Sequence, residues 1–262
     1  MNKQIPELSF VDIEKGDSNS INILSDALEE HGFFSITEHG LSNELVDKCY
    51  QLSKQFFDLE YETKNKYSSV GSKGARGYTP KGIETAVGEN VPDQKEFWHH
   101  GPVVDDTFDQ KIPKNIIIEE MPEFNKYYDE LYLELHKIGS RVLSVIALSL
   151  EIDKNFFTPW IEKGNSLLRS IHYPPVDSNL NPHRARAHED INLITLLIGA
   201  EEGGLEVLNK DGSWIKVSPS SEAIVCNIGD MMQLVTDKKL KSTTHRVIQD
   251  KLTESKPRYS IP

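Results

Sequence analysis

Basic residues, cysteine and long apolar runs are what this chain has least of. Lysine and arginine number 29 against 41 aspartates and glutamates, a formal net charge of -12. Nucleic acids and anionic membranes are gripped mainly through lysine and arginine, so neither is an expected partner, and an anionic ligand would need a local basic pocket. The two cysteines, Cys49 and Cys226, lie far apart in unrelated surroundings. That excludes a disulfide framework and a thiolate metal site. No apolar run approaches the roughly eighteen residues of a membrane span, and no charged segment followed by an apolar one opens the chain, so a cytoplasmic location is expected. Internal repeats and low-complexity segments are missing as well.

What is present is the make-up of an ordinary soluble protein. Hydrophobic residues at 37% and charged ones at 27% over 262 residues suffice for one large domain or two closely packed ones. Residues 5 to 13 alternate loosely and predict an early strand. Ile21, Leu24, Ala27 and Leu28 fall at helical spacing before Gly32, a stop signal, and Phe33-Phe34-Ser35-Ile36 then predicts a strand. Ser42 is a candidate cap for a helix carrying Leu45, Cys49, Leu52, Phe56 and Phe57 on one face. From 68 to 109 glycines punctuate a stretch that also holds Arg76, Tyr78 and His99, and irregular segments of this kind often carry binding function. A single helix is expected from Pro122 to about Leu150 as a spine, and a short one from Asp153 to about Lys163. After it come strands at 166–173, 188–198, 204–209, 213–217, 223–227, 231–235 and 243–248, separated by Pro-Pro, Gly-Gly, Asp-Gly and Gly-Asp. Short strands at that spacing mean a sandwich or barrel.

Chemistry concentrates at His188-Glu189-Asp190. If the segment is a strand, residues two apart share a face, so His188 and Asp190 aim at one point and Glu189 turns away. A third ligand must then come from elsewhere, and His245 is the candidate. Two imidazoles and a carboxylate with open positions beside them favour ferrous iron, which a reducing compartment would preserve. His136, His172 and His183 are read as ordinary core or surface histidines.

Beyond this trio, a series of ordered blocks stands out: His188-Glu189-Asp190-Ile191-Asn192-Leu193-Ile194-Thr195-Leu196-Leu197, Gly203-Gly204-Leu205-Glu206-Val207, Asn227-Ile228-Gly229-Asp230, Thr244-His245-Arg246-Val247 and Arg258-Tyr259-Ser260. In order and spacing they resemble the isopenicillin-N-synthase-like branch of the iron(II)- and 2-oxoglutarate-dependent oxygenases, and Gly32-Phe33-Phe34 extends the resemblance into the amino-terminal half. The resemblance implies a distorted double-stranded β-helix, or jelly roll, flanked by helices: mainly β with α. It divides the chain into an N-terminal region over 1–110, a helical spine over 111–164 and the jelly-roll core over 165–262. His188, Asp190 and His245 match the iron ligands. Arg258, Ser260 and Tyr173 match the residues that hold the remote carboxylate of 2-oxoglutarate, with dioxygen as the other co-substrate. The glycine-punctuated stretch corresponds to the part covering the pocket, which makes Arg76, Tyr78 and His99 candidates for substrate binding; Arg76 would imply a carboxylate or phosphate. Two enzymatic readings stay open. One is a 2-oxoglutarate oxygenase hydroxylating a small molecule; the other resembles isopenicillin N synthase, which needs no keto acid and uses its Arg-x-Ser for a substrate carboxylate. A binding or sensor protein without turnover is a third possibility.

Overall fold

A computed structural model describes residues 4–68, 74–84, 93–175, 183–198, 203–249 and 255–262. The chain opens with β1 (Glu7–Ser9) and α1 (Phe10–Glu14), followed by α2 (Ser18–Glu30), β2 (Phe33–Thr37), α3 (Asn43–Phe57) and α4 (Tyr61–Lys66). Next come β3 (Gly77–Thr79), β4 (Glu96–His100), the long α5 (Glu123–Ser149) and α6 (Thr158–Ile161). The remainder is β5 (Leu168–Tyr173), β6 (His183–His188), β7 (Ile194–Ile198), β8 (Leu205–Leu208), β9 (Trp214–Lys216), β10 (Ile224–Ile228), α7 (Asp230–Val235), β11 (His245–Ile248) and β12 (Arg258–Ser260).

Local chemistry explains most of these limits. Asp17 accepts from the Ser20 backbone and starts α2, as Ser42 starts α3 through Leu45. Gly32 ends α2 with φ +63, and a Cβ there would collide with the Lys241 carbonyl. Three expectations fail. The early strand is only three residues long, because Ser9 accepts from the Asp12 backbone and turns the chain into α1. The single strand expected over 188–198 is two, β6 and β7, with His188 closing the first. Residues 231–235 are helical rather than extended: a short apolar run fits either period, and here Met232 is buried while Leu234 and Val235 face solvent.

Among the described residues the strands form three four-stranded sheets, in the orders β1-β2-β10-β7, β12-β5-β4-β3 and β6-β11-β8-β9. A bridge between Ile198 and Ile261 joins the first two edge to edge. The third faces this broad surface across an apolar interior built from Phe33, Val225, Phe97, Ile171, Val207 and Val247. Two facing sheets of this kind make the jelly roll, and they do not close into a barrel. The opposite face of the broad surface packs on α3 and α5, whose Leu52, Phe56, Phe124, Tyr128, Leu131 and Ile146 lie in one larger cluster with Phe34, Ile224, Cys226 and Trp98. With both faces covered, every residue of β10 is buried, which is why its sequence is apolar without alternation except at Asn227. Among the described residues no helix is long and apolar enough to cross a membrane.

Strand parity sorts the side chains of the second sheet. Across β4 and β5, Glu96 pairs with His172, Trp98 with Ser170 and His100 with Leu168, and this set faces the helices. Phe97, His99, Arg169, Ile171 and Tyr173 face the interior. On the helix side Glu96 is a buried anion. It accepts from Tyr78 Oη at 2.5 Å, Lys64 Nζ at 2.9 Å and His172 Nδ1 at 2.8 Å. Burial pushes its carboxyl up, but the bonds from His172, Tyr78 and Lys64 prevail and hold it at about 2. A folded value below the unfolded one near ~4.3 means stabilisation that is complete above that value and disappears as pH falls toward about 2. Removing one member of a buried ion pair costs about 3–5 kcal/mol. Denaturant unfolding of Glu96→Gln at pH 7 is therefore expected to show a loss of that order, shrinking when the titration is repeated between pH 4 and 2. An unchanged midpoint at pH 7 would show that the network contributes nothing net.

Candidate metal centre and its cavity

β6 and β11 run antiparallel, and His188 stands directly opposite His245 in their register. Cross-strand neighbours lie about 4.5–5.5 Å apart at Cβ, so the rings meet, with centroids 4.4 Å apart. Asp190 is not on the strand with His188. It belongs to the connection between β6 and β7, and that connection is anchored to the start of α7: Asp230 N donates to the Asp190 carbonyl at 2.7 Å, and Gly229 N to Leu193 O at 3.0 Å. A Cβ on Gly229 would lie 2.1 Å from the Asn192 carbonyl oxygen, so only glycine permits this approach. The donor atoms of His188, Asp190 and His245 all lie within 4.8 Å of one another.

The remaining hydrogen bonds direct those donors inward. His188 Nδ1 donates to Arg186 O at 2.6 Å and His245 Nδ1 to Thr243 O at 3.1 Å, which leaves each Nε2 with a lone pair. The two Nε2 atoms stand 4.0 and 3.9 Å from Asp190 Oδ1. Asp190 Oδ2 accepts from Thr195 Oγ1 at 2.6 Å and Asn227 Nδ2 at 2.9 Å, so Oδ1 is the oxygen turned to the histidines. Burial alone would raise the Asp190 carboxyl; His245, Asn227 and Thr195 outweigh it and keep the group ionised. Burial and the neighbouring His188 lower His245, favouring its neutral form. Just after β6, Glu189 accepts from the hydroxyl of Thr244, just before β11, and ties the segments that carry Asp190 and His245 together. Two imidazoles, one carboxylate and outer partners for each fit a divalent ion such as ferrous iron.

These groups open on a cavity of about 930 Å³ whose walls include Tyr173, Arg258, Ser260, Arg169, Lys95 and Trp160. β12 places Arg258 opposite Tyr173 and Ser260 opposite Ile171. The Arg258 guanidinium is buried, with its carbon 5.3 Å from the Tyr173 ring centroid. Arginine, serine and tyrosine thus stand together on the interior face.

The three residues singled out for substrate do not line this cavity. Tyr78 pairs with Trp98 across β3 and β4, on the helix side, and its hydroxyl is bound to Glu96. Arg76 is buried against Gly101 and donates to Ala75 O and Asn165 Oδ1. His99 does face the interior, but behind Arg169, whose Nε donates to His99 Nε2 at 2.6 Å. Burial and the adjacent arginine lower His99 to about 4, so the ring is neutral and accepts that bond. Parts of the glycine-punctuated stretch, 69–73 and 85–92, lie outside the described residues. His172 is satisfied by Glu96 as a core histidine and stacks on Tyr259, His136 stacks on Tyr132, and the side chain of His183 lies outside the described residues. Sequence reasoning left Thr195, Asn227 and Gly229 without a role, although the first sits inside the His188 block and the others share a second block with Asp230.

A jelly roll carrying this donor set, with a buried arginine beside it, has the form of a non-haem metal oxygenase. Residues 164–262 match the family model of the 2OG-Fe(II) oxygenase superfamily, and residues 5–120 match that of the non-haem dioxygenase in morphine synthesis N-terminal region. A 2-oxoglutarate-Fe(II) type oxidoreductase of Aspergillus fumigatus is 31% identical over 88% of this chain and 72% of its own. A 2OG-Fe(II) oxygenase family protein from Caulobacter crescentus superposes with TM-score 0.89 at 40% identity, over 98% of this chain and 84% of that one. A full-length Neurospora crassa protein crystallised in complex with alpha-KG gives TM-score 0.85 at 27% identity, over 98% and 83%. The chain belongs to the 2OG-Fe(II) oxygenase superfamily and is an iron(II)- and 2-oxoglutarate-dependent dioxygenase.

Outer partners of metal ligands typically govern 10–100-fold in metal affinity. Thr195→Val combined with Asn227→Ala frees Asp190 Oδ2 and is expected to weaken iron(II) binding by about that factor, as read by competition with a chelator. Gly229→Ala should act in the same direction by displacing the segment that carries Asp190. Wild-type affinity in both would mean that these contacts do not orient the ligand.

Proposed function

We propose that His188, Asp190 and His245 hold iron(II), that Arg258, Ser260 and Tyr173 hold the remote carboxylate of 2-oxoglutarate, and that the protein hydroxylates a small molecule in the cytoplasm. The observation that carries this reading is the hydrogen bonding of the trio: both Nδ1 atoms and Asp190 Oδ2 are occupied, so the three remaining donors face one point. When bound, iron supplies the activation of dioxygen that couples oxidation of 2-oxoglutarate, to succinate and carbon dioxide, to oxidation of the substrate.

The chain's own contribution is binding, orientation and exclusion of water. Arg258 is buried, and a guanidinium presents two parallel donors that match a carboxylate, a charge-assisted pairing about twice as strong as a neutral one. Ser260, on the same face two residues on, adds a hydroxyl, and Tyr173 packs against the guanidinium from the neighbouring strand. Phe33 touches the His245 ring edge-on at 5.3 Å, and with Ile171 and Val247 it makes an apolar floor that keeps bulk water from the donors. The complex of the Neurospora crassa protein with alpha-KG supports the assignment of a keto acid to the clamp.

Incubation with iron(II), 2-oxoglutarate and air is expected to release succinate, and His245→Ala to stop it. Arg258→Ala should raise the Kd for 2-oxoglutarate by about 10–100-fold, the equivalent of about 1.5–3 kcal/mol for a charged hydrogen bond. Wild-type protein that neither binds the keto acid nor forms succinate would overturn the proposal and favour an oxidase working without it.

A further inference from the structure

Away from Arg258 the cavity carries a second built site. Arg169, Ile171 and Tyr173 alternate on the interior face of β5, and all three line the cavity. At about 3.3 Å per residue, Arg169 lies some 13 Å along the strand from Tyr173. The backbone repeats this offset: Arg258 pairs with Tyr173, whereas Arg169 N donates to Pro262 O. The two guanidiniums therefore stand well apart along one wall of the chamber.

Arg169 is held in place from three sides. Its guanidinium carbon sits 4.5 Å from the centre of the Phe97 ring, and Nε is fixed by His99, whose own Nδ1 donates to Gly74 O. The outer edge is paired with Glu84, to which the two terminal nitrogens donate at 3.3 and 3.5 Å; each terminal nitrogen carries a second N–H, which this pairing does not use. Glu84 in turn accepts from Lys95 at 3.0 Å, and Lys95 also reaches Asp93 at 3.1 Å. Among the described residues, the two cations and two carboxylates of this cluster balance in charge. They are unequally open: the Lys95 and Asp93 side chains are 10% and 8% exposed, those of Arg169 and Glu84 30% and 36%. What meets a ligand is a guanidinium donor beside a carboxylate acceptor.

From this wall we infer that Arg169 and Glu84 are the substrate-recognition pair and select an uncharged molecule with a C=O beside an N–H, of the amide, lactam or imide type. The carbonyl oxygen accepts from an Arg169 terminal nitrogen, and the adjacent N–H donates to Glu84. A carboxylate at the same place would meet Glu84 as a like charge, and an ammonium would meet Arg169; each leaves a partly buried charge opposed, which costs more than a missing hydrogen bond. This places the selectivity on residues other than Arg76, Tyr78 and His99, and gives His99 the part of positioning Arg169. The assignment rests on the reading that iron and 2-oxoglutarate occupy the Arg258 end.

The test is calorimetric titration of the iron-loaded protein, kept anaerobic with saturating 2-oxoglutarate, with uracil, succinimide and 2-pyrrolidone as uncharged probes and with benzoate and benzylammonium as charged ones. At least one uncharged probe is expected to bind tenfold or more tightly than either charged one. Arg169→Ala and Arg169→Lys should each weaken that probe at least tenfold while keeping the wild-type Kd for 2-oxoglutarate, which also reports that the fold is intact; lysine keeps the charge but lacks the planar fork. Preferential binding of benzoate or benzylammonium, binding by none of the uncharged probes, or equal affinity in both variants would overturn the inference. Failure of wild-type protein to bind 2-oxoglutarate would instead remove the reading on which it rests, a result visible before any probe is added.

Discussion

The pairing of β6 with β11 is the constraint on which the site depends. It sets His188 against His245 on the smaller sheet, and everything else in the centre is arranged around that pair. Asp190 completes the set from a connection rather than a strand, and it is kept in place because Gly229 allows the Asn192 backbone to approach to near contact. Position by backbone pairing is precise at low cost, since ladder bonds must be made in any case. A site assembled on strands and on a short, anchored connection is stiffer than one on free loops.

Burial then assigns each charge its role. On the helix side of the second sheet, Glu96 is surrounded by Lys64, Tyr78 and His172 and serves the packing of α3 and α4. On the interior side, Arg258 and Arg169 lie on the same face at different depths, one closed in beside Tyr173 and the other open to the cavity. The difference between helix-facing and cavity-facing charge is thus strand parity, one residue apart along β4 and β5. In this way an acidic chain of net charge -12 buries one arginine, Arg258, on the interior face of a sheet.

Much of the architecture was legible in the residues. The cap at Ser42, the stop at Gly32 and the 27-residue spine α5 all follow from local patterns that the structure retains. The meeting of His188, Asp190 and His245 was legible too, though the strand argument that first joined His188 to Asp190 does not describe how they meet. Residues 231–235 mislead because a five-residue run, apolar but for Gln233, carries too little periodicity to separate helix from strand. Tyr78 misleads for another reason: an aromatic in a glycine-rich stretch gives no sign of which sheet face it will take, and pairing with Trp98 turned it to the helices.

By itself the sequence determined the donor types, the order of the blocks and hence the family, because these depend on residue identity and spacing along the chain. Only the tertiary structure decided which of those residues share a face and what stands behind each one. Thr195 and Asn227 became partners of Asp190, and His99 became the support of Arg169, through contacts that sheet register and the packing of two sheets across one interior bring about. No local period in the chain encodes them.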